Sequence, residues 1–337
     1  MKALVTGGSG FIGSTLIESL TRRGISVDVL MRKTSSDRHL QGLDYRRREG
    51  DITDFESLKR AVADVDVIFH LAGVIAAKDR TEYFRFNAEG TANLARAAEE
   101  VNQSGGGRVK RFVYVSSMAA GGPAPTSTPR TENDVDAPVS AYGESKRAGE
   151  AELLRHRDAF LPLILRPPLV YGPKDQATLL LVKTVAKRII PKFAASTADG
   201  EKYYSVIHSS DLVEAIATLG TVAAERVSNG DVFYISSGEE VSASRLMGAM
   251  ASALGVKTFT LPLPAPVLRF AAVAATIVGR VLGKSFVLNR DKLHEILPDY
   301  WTCSNLKLMT KTSWRPQIHL ESGMKDAVDW YRTNGWI

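Results

Sequence analysis

Short apolar runs, polar turns and amphipathic stretches follow one another in a steady rhythm through the first half of the chain. The runs at 2–6 (KALVT), 26–30 (SVDVL), 65–72 (VDVIFHLA), 111–117 (RFVYVSS) and 161–167 (LPLILRP) read as strands. Between them Ile12, Leu16 and Leu20 recur at helical spacing, as do Leu94, Ala97, Ala98 and Val101. Strands alternating with helices predict an α/β fold with a parallel sheet wrapped on both faces. After "RPPLVYGP" (166–173) the rhythm becomes irregular. This predicts a first domain over 1–170, with a returning strand near 231–238, and a smaller C-terminal domain over 171–337. The Pro- and Thr-rich stretch 121–138 is long for a loop inside a domain, which points to use rather than idleness.

"TGGSGFIG" (6–13) sits between the first strand and the first helix. Gly7-x-x-Gly10-x-x-Gly13 and the overlapping Gly8-x-Gly10-x-x-Gly13 both match dinucleotide-binding fingerprints. Glycine there permits a tight turn and lets backbone N–H groups approach a pyrophosphate. The expected fold is therefore a Rossmann-type doubly wound sheet with a smaller C-terminal substrate domain. An acidic residue would close the second strand if the ribose carried a free 2′-hydroxyl, but Arg32 and Lys33 stand there and Asp28 comes too early. A guanidinium clamps a 2′-phosphate well, so the cofactor expected is NADP(H) in preference to NAD(H). The alternative is that Arg32 and Lys33 are ordinary exposed loop charges.

With "GDITD" (50–54), "HLAG" (70–73), "FNAEGT" (86–91), "YVSS" (114–117), "YGESK" (142–146), "LRPPLVYGP" (165–173) and "DLVEAI" (211–216), the chain resembles the extended short-chain dehydrogenase/reductase family. This is also called the NAD-dependent epimerase/dehydratase family. The resemblance implies cofactor contacts from Gly7, Gly10, Phe11, Ile12, Gly13, Asp51, Ile52, Leu71, Ala72, Gly73, Ser116 and Pro167, with Asn87 steadying the turn below. It implies catalysis by Ser117, Tyr142 and Lys146, the last two also touching the cofactor, with Ser116 as the alternative serine. Tyr142 and Lys146, four apart, share a helix face. A tyrosine of reference pKa about 10 is a poor base near neutrality unless its phenolate is stabilised by a cation. In the reductive direction the tyrosine gives its proton to the developing alkoxide.

Within that family two chemistries compete: nucleotide-sugar epimerisation or dehydration, and net reduction of a ketone as in dihydroflavonol reductase-like and 3β-hydroxysteroid dehydrogenase-like members. Sugar-nucleotide members typically carry an asparagine after the sixth strand and an arginine-led stretch before the later aspartate. This chain has Pro167-Pro168 and "EKYYSVIHSSD" (201–211) at those places. A diphosphate needs cationic partners, so the expected reaction is NADP(H)-dependent interconversion of a ketone and a secondary alcohol on a hydrophobic small molecule, sterol-like or sphingoid-like. A nucleotide-sugar epimerase or dehydratase is the alternative, and a non-catalytic NADP-sensing protein a third reading.

Composition trims the remaining options. Net charge is +6, but no basic stripe interleaves with aromatics, so nucleic acid is not an expected partner. Cys303 is the sole cysteine and the six histidines show no ligand spacing, so no disulfide and no metal site are expected. "MKALVTGG" is too short an apolar start for a signal peptide, and the expected location is cytoplasmic. The apolar stretch 261–283 carries Arg269 and Arg280, and prolines 262, 264 and 266 break its start, so it is not read as a membrane span. It reads as a buried helix roofing the second domain, or as an apolar lid or interfacial helix making peripheral membrane contact. The family resemblance also allows a homodimer through helices near 82–101 and 141–156.

Overall fold

The computed structural model describes residues 1–263 and 290–337. Six strands come first: β1 (Lys2–Thr6), β2 (Ser26–Met31), β3 (Arg46–Glu49), β4 (Val67–His70), β5 (Arg111–Val115) and β6 (Leu161–Arg166). Smaller strands follow: β7 (Leu169–Tyr171), β8 (Ile189–Phe193), β9 (Tyr203–His208), β10 (Val232–Tyr234), β11 (Glu240–Ser242), β12 (Phe259–Leu263) and β13 (Tyr300–Trp301). The main sheet has seven strands in the order β10-β6-β5-β4-β1-β2-β3, and every pairing in it is parallel. Its strand order reverses at β1, which has β2 on one side and β4 on the other. Ligands of such sheets lie outside the carboxyl ends of the strands at that reversal.

Helices cover both faces because both faces of each central strand are apolar. On one side α1 (Phe11–Arg22) and α8 (Ser209–Thr221) pack together. Leu16, Ile17, Leu20, Leu212 and Ile216 are fully buried there against Val5, Val29 and Phe69. Each such side chain contributes roughly 1.5–3 kcal/mol relative to exposure. On the other side α2 (Phe55–Val62), α4 (Gly90–Gln103) and α6 (Ala141–Leu154) bury Leu58, Leu94 and Leu153 against Leu4, Ile68 and Phe112. Between them stand α3 (Arg80–Phe84), which runs into a wide π-helical turn at Arg85–Glu89, and the one-turn α5 (Met118–Gly121).

A second apolar cluster gathers α7 (Gln176–Ala186), α9 (Ala243–Leu254) and the C-terminal helix Leu320–Thr333, through Val182, Met250, Met324 and Val328. Here β9 pairs with β7, β11 and β13, while β8 and β12 form a separate parallel ribbon. The helix Arg290–Ile296 lies against that ribbon: Leu293 packs on Phe193, Leu263 and Leu297. The excursion 121–138 is pinned to the far end of the chain, since Arg130 N–H donates to Thr302 O and Ser304 N–H to Arg130 O. Of the apolar stretch 261–283, only 261–263 fall within the described residues. No helix among those residues is long and apolar enough to cross a membrane.

Candidate active site

The loops after β1 and β4 touch at the strand-order reversal. Gly7 has φ +71°, and a Cβ there would stand 2.8 Å from the Ala72 nitrogen. A Cβ on Gly13 would stand 2.2 Å from the Gly7 oxygen, and one on Gly8 2.5 Å from Val29 Cγ1. These three glycines are required by the protein's own packing. Gly10 differs. Its φ of −82° suits any residue, and its Cβ would meet only the Gly7 oxygen, at 3.3 Å. Gly10 is the exposed N-cap of α1, with no side-chain cap bond to the first turn among the described residues, where the half-buried Phe11 and Ile12 follow. An uncapped helix start fronted by bare backbone fits a dinucleotide pyrophosphate.

At the end of β2, Arg32 and Lys33 are both exposed. The Arg32 carbonyl is held by Arg47 Nη2 at 2.7 Å, and Lys33 Nζ lies 3.4 Å from Glu49, while the Arg32 guanidinium has no partner among the described residues. Asp28 is buried mid-strand and tied to Arg46 and Arg48 at 2.6 and 2.7 Å. One strand over, Asp51 Oδ1 accepts from the amide and hydroxyl of Thr53, both at 2.8 Å, and Ile52 O accepts from Asn93.

Beyond β4, Leu71 and Ala72 are fastened to Thr6. Asn87, in the π-helical turn, accepts from Val74 N at 2.8 Å and donates to Val74 O at 3.0 Å and Ser145 Oγ at 2.9 Å, which joins this loop to α6. A Cβ on Gly73 would stand 2.7 Å from Asn87 Oδ1. His70 is buried between Thr6 and Thr91, and burial, reinforced by the Lys146 charge, draws its pKa down to about 3.

The structure brings Ser117 and Tyr142 together. Ser117 caps α5, its Oγ accepting from Ala119 N at 3.1 Å, and its hydroxyl stands close enough to the Tyr142 oxygen to ease that phenol's ionisation. Burial pushes the Tyr142 phenol up to about 12 against the opposing pull of Ser117, so it is protonated at neutral pH. Lys146, one turn on, turns elsewhere: Nζ donates to Val115 O at 2.8 Å and lies 4.4 Å from the Tyr114 ring centre. Burial pulls Lys146 down to about 7, and the Glu150 carboxylate works against that. Ser116 donates its hydroxyl to Glu150, away from Tyr142. Pro167 is buried at the end of β6, and its carbonyl accepts from Met118 N at 2.8 Å.

Two sets of groups at the site were not read from the sequence. Glu150 and Arg166 form one, and only the four-residue step from Lys146 to Glu150 hinted at it. The other is a pair of carboxylates on the helix Arg290–Ile296. Asp291 accepts from Ala141 N at 2.8 Å and Glu295 from Ser140 Oγ at 2.6 Å, which fixes that helix over the start of α6. Their four-residue spacing puts both on one helix face, but nothing local says what that face meets.

A family model described as "NAD dependent epimerase/dehydratase family" matches residues 3–235. The chain is 28% identical over 334 residues to a ceramide reductase of Caulobacter vibrioides, covering 99% of this chain and 95% of that protein. It is 30% identical over 337 residues to a UDP-glucose 4-epimerase of Vibrio cholerae, covering 96% and 94%. The crystal structure of the Thermus thermophilus UDP-glucose 4-epimerase in complex with NAD superposes with a TM-score of 0.76 at 25% identity, over 98% of this chain and 99% of that one. Sheet order, glycine loop and sequence match agree, and the chain belongs to the NAD-dependent epimerase/dehydratase family, as an NAD(P)-dependent oxidoreductase of the extended short-chain dehydrogenase/reductase type.

Proposed function

We propose that the protein is an NADP(H)-dependent oxidoreductase that interconverts a ketone and a secondary alcohol on a hydrophobic, lipid-like body such as a sterol or a sphingoid chain. The observation that carries this reading is the setting of Tyr142. Its phenol is protonated and stands beside the Ser117 hydroxyl, and it lies on the helix whose start is covered by Arg290–Ile296, the element that gathers Phe193, Leu263, Leu293 and Leu297. In this reading residues 1–170 mainly hold the cofactor and residues 171–337 mainly the substrate, with β10 completing the main sheet.

The nicotinamide, when bound, supplies or accepts the hydride. The chain's own residues do the rest. Ser117 turns its hydroxyl from Tyr142 to the substrate oxygen and fixes its direction. Tyr142 gives up its proton as negative charge gathers on that oxygen. Lys146, fixed by Val115 one helical turn from Tyr142, holds its ammonium close to Gly73, on the side where the cofactor's ribose would lie. Gly7, Gly10 and Gly13 keep the loop bare for the pyrophosphate, and Arg32 offers a free guanidinium to a 2′-phosphate.

A cation does stand where sugar-nucleotide members carry their arginine-led stretch, but it is spent internally. Lys202 is buried, with Nζ on Leu297 O, Pro298 O and Asp299 Oδ1 at 2.7, 3.2 and 2.9 Å. That favours the ketone over a nucleotide diphosphate. The epimerase reading is supported by the similarity over nearly the whole chain to the Vibrio cholerae and Thermus thermophilus enzymes. The deciding experiment follows NADPH oxidation with ketones of increasing chain length beside a titration with UDP- and GDP-sugars. A buried methylene is worth about 0.8 kcal/mol, so kcat/KM should climb roughly fourfold per methylene until the pocket is full. Tight sugar-nucleotide binding with a flat chain-length response would overturn the proposal in favour of epimerisation.

A further inference from the structure

The chain's positive charge is not evenly spread. Residues 176–198 and 241–290 contain no aspartate or glutamate and hold ten of the 43 lysines and arginines, which leaves 33 basic against 37 acidic residues elsewhere. The protein is thus net negative outside two segments and strongly positive within them. Among the described residues these segments meet: β8 pairs with β12, and α7 packs on α9.

The same region exposes apolar side chains. Phe259 and Ile189 are register partners at the leading end of the ribbon, 68% and 42% exposed, and Leu261, two residues on, is 44% exposed. Paired residues of neighbouring strands point to one face, so these three share a side with Phe193 and Leu263. On α7, Leu180 is 53% exposed and shares its stripe with Lys183 and Lys187. Lys183, Lys187, Arg188 and Lys257 are exposed and none has a carboxylate partner among the described residues, whereas Lys192 and Arg245 nearby are paired with Glu201 and with Glu239 and Glu321.

We infer that this face, made by the outer stripe of α7, the turn at 187–188 and the leading end of the β8–β12 ribbon, docks the protein on anionic phospholipid bilayers. Unpaired cations interleaved with exposed aliphatic side chains and a phenyl ring match such a surface in both its terms, headgroup charge and acyl boundary. A nucleic acid would match the charge but leave the exposed aliphatic side chains Leu180, Ile189 and Leu261 without an apolar partner. The apolar side of the ribbon continues from Phe259 and Ile189 through Leu261 to the Phe193–Leu263–Leu293 cluster, whose helix is anchored beside Tyr142. An apolar compound leaving the bilayer would meet a continuous greasy track toward the catalytic helix. The docking surface itself holds whichever substrate the cleft takes.

The test is flotation of the full chain with vesicles of mixed phosphatidylglycerol and phosphatidylcholine, and with vesicles of phosphatidylcholine alone. Binding is expected to the mixed vesicles only, with release at about 1 M salt, where the Debye length falls to ~3 Å. Reversing Lys183, Lys187, Arg188 and Lys257 to Glu should weaken binding at least about tenfold, given roughly fivefold per cation near an anionic surface. Phe259→Ser, which alters no charge, should weaken it too, and keeps the test decisive if the fourfold variant misfolds. Equal binding to both vesicle types, no binding to either, or full binding by the variants would overturn the inference. So would tighter binding to a duplex oligonucleotide, or a dimer in sedimentation that Phe259→Ser dissolves.

Discussion

Glu150 and Arg166 face each other as a buried bidentate pair, Nε to Oε1 at 2.9 Å and Nη2 to Oε2 at 2.5 Å, one helical turn beyond Lys146. Arg166 also holds Asp136 with both terminal nitrogens and reaches the Tyr234 hydroxyl, and Ser116 donates to the same Glu150 carboxylate. Burial works against the guanidinium, yet Glu150 and Asp136 together hold it protonated above its usual range. The ends of β5 and β6 and the excursion 121–138 are thereby locked to the helix that carries Tyr142 and Lys146.

Removing one partner of a buried pair typically costs about 3–5 kcal/mol, and Arg166 here keeps Asp136 as a second carboxylate. Glu150→Gln should therefore lower unfolding free energy by about 3 kcal/mol in urea titration. It should also shift a pH profile. Glu150 is the charge that holds Lys146 up against burial, so without it the Lys146 pKa falls below about 7. The alkaline limb of kcat/KM for the cofactor, which reports the free enzyme, should then move to lower pH. A stability loss with an unmoved limb would make Glu150 a purely structural residue.

Tyr142→Phe should remove turnover by about 10²- to 10⁴-fold, the range for a lost general acid, with cofactor affinity nearly unchanged. Ser117→Ala should lower turnover by a smaller factor, because it removes the hydrogen bond to the reacting oxygens but leaves the proton donor. Near-normal turnover in the phenylalanine variant would sink the assignment.

The glycines separate packing from binding. Gly13→Ala drives a Cβ into the Gly7 carbonyl at 2.2 Å, so both melting temperature and cofactor affinity should fall. Gly10→Ala meets one backbone oxygen at 3.3 Å and no unfavourable φ, so melting should change little while cofactor affinity drops markedly. Calorimetric titration beside thermal unfolding distinguishes the two. Equal behaviour of both variants would mean that the bare first turn of α1 is not where the pyrophosphate sits.

The parallel strands and the loops at their carboxyl ends are legible in the sequence because apolar runs closed by glycine or polar turns are local signals. The edge strand β3 is not, because Arg46–Glu49 looks like a solvated basic run. Its cause is tertiary: Asp28 lies buried on β2, in register with Arg46, and draws both Arg46 and Arg48 to one side of the strand. Burial alone would raise the Asp28 pKa, but these guanidinium bonds outweigh it and hold it below the ordinary carboxylate range. The alternation of Arg46 and Arg48 about Arg47 was the available hint. Tyr142 and Lys146 sit on one helix as their spacing implies, yet the partner of Tyr142 is Ser117, not Lys146, because the Val115 carbonyl at the end of β5 takes the ammonium.

That use of Asp28 bears on cofactor choice. The one acid on β2 is consumed by Lys2, Arg46 and Arg48, and the first polar groups past the strand are Arg32, whose guanidinium has no partner among the described residues, and Lys33, which leans on Glu49. A ribose 2′-phosphate at that strand end would gain a charge-assisted bond from Arg32, worth about 1.5–3 kcal/mol, whereas a 2′-hydroxyl would find no acidic residue closing β2 itself. Arg32→Ser should therefore weaken NADPH about ten- to a hundredfold and leave NADH within about twofold, since 1.4 kcal/mol is a factor of ten. Lys33→Ser should do less, because its charge is partly answered by Glu49. Fluorescence titration of both reduced cofactors against the three proteins checks this. Equal affinity of the unaltered chain for NADPH and NADH would assign the strand end no role in the choice.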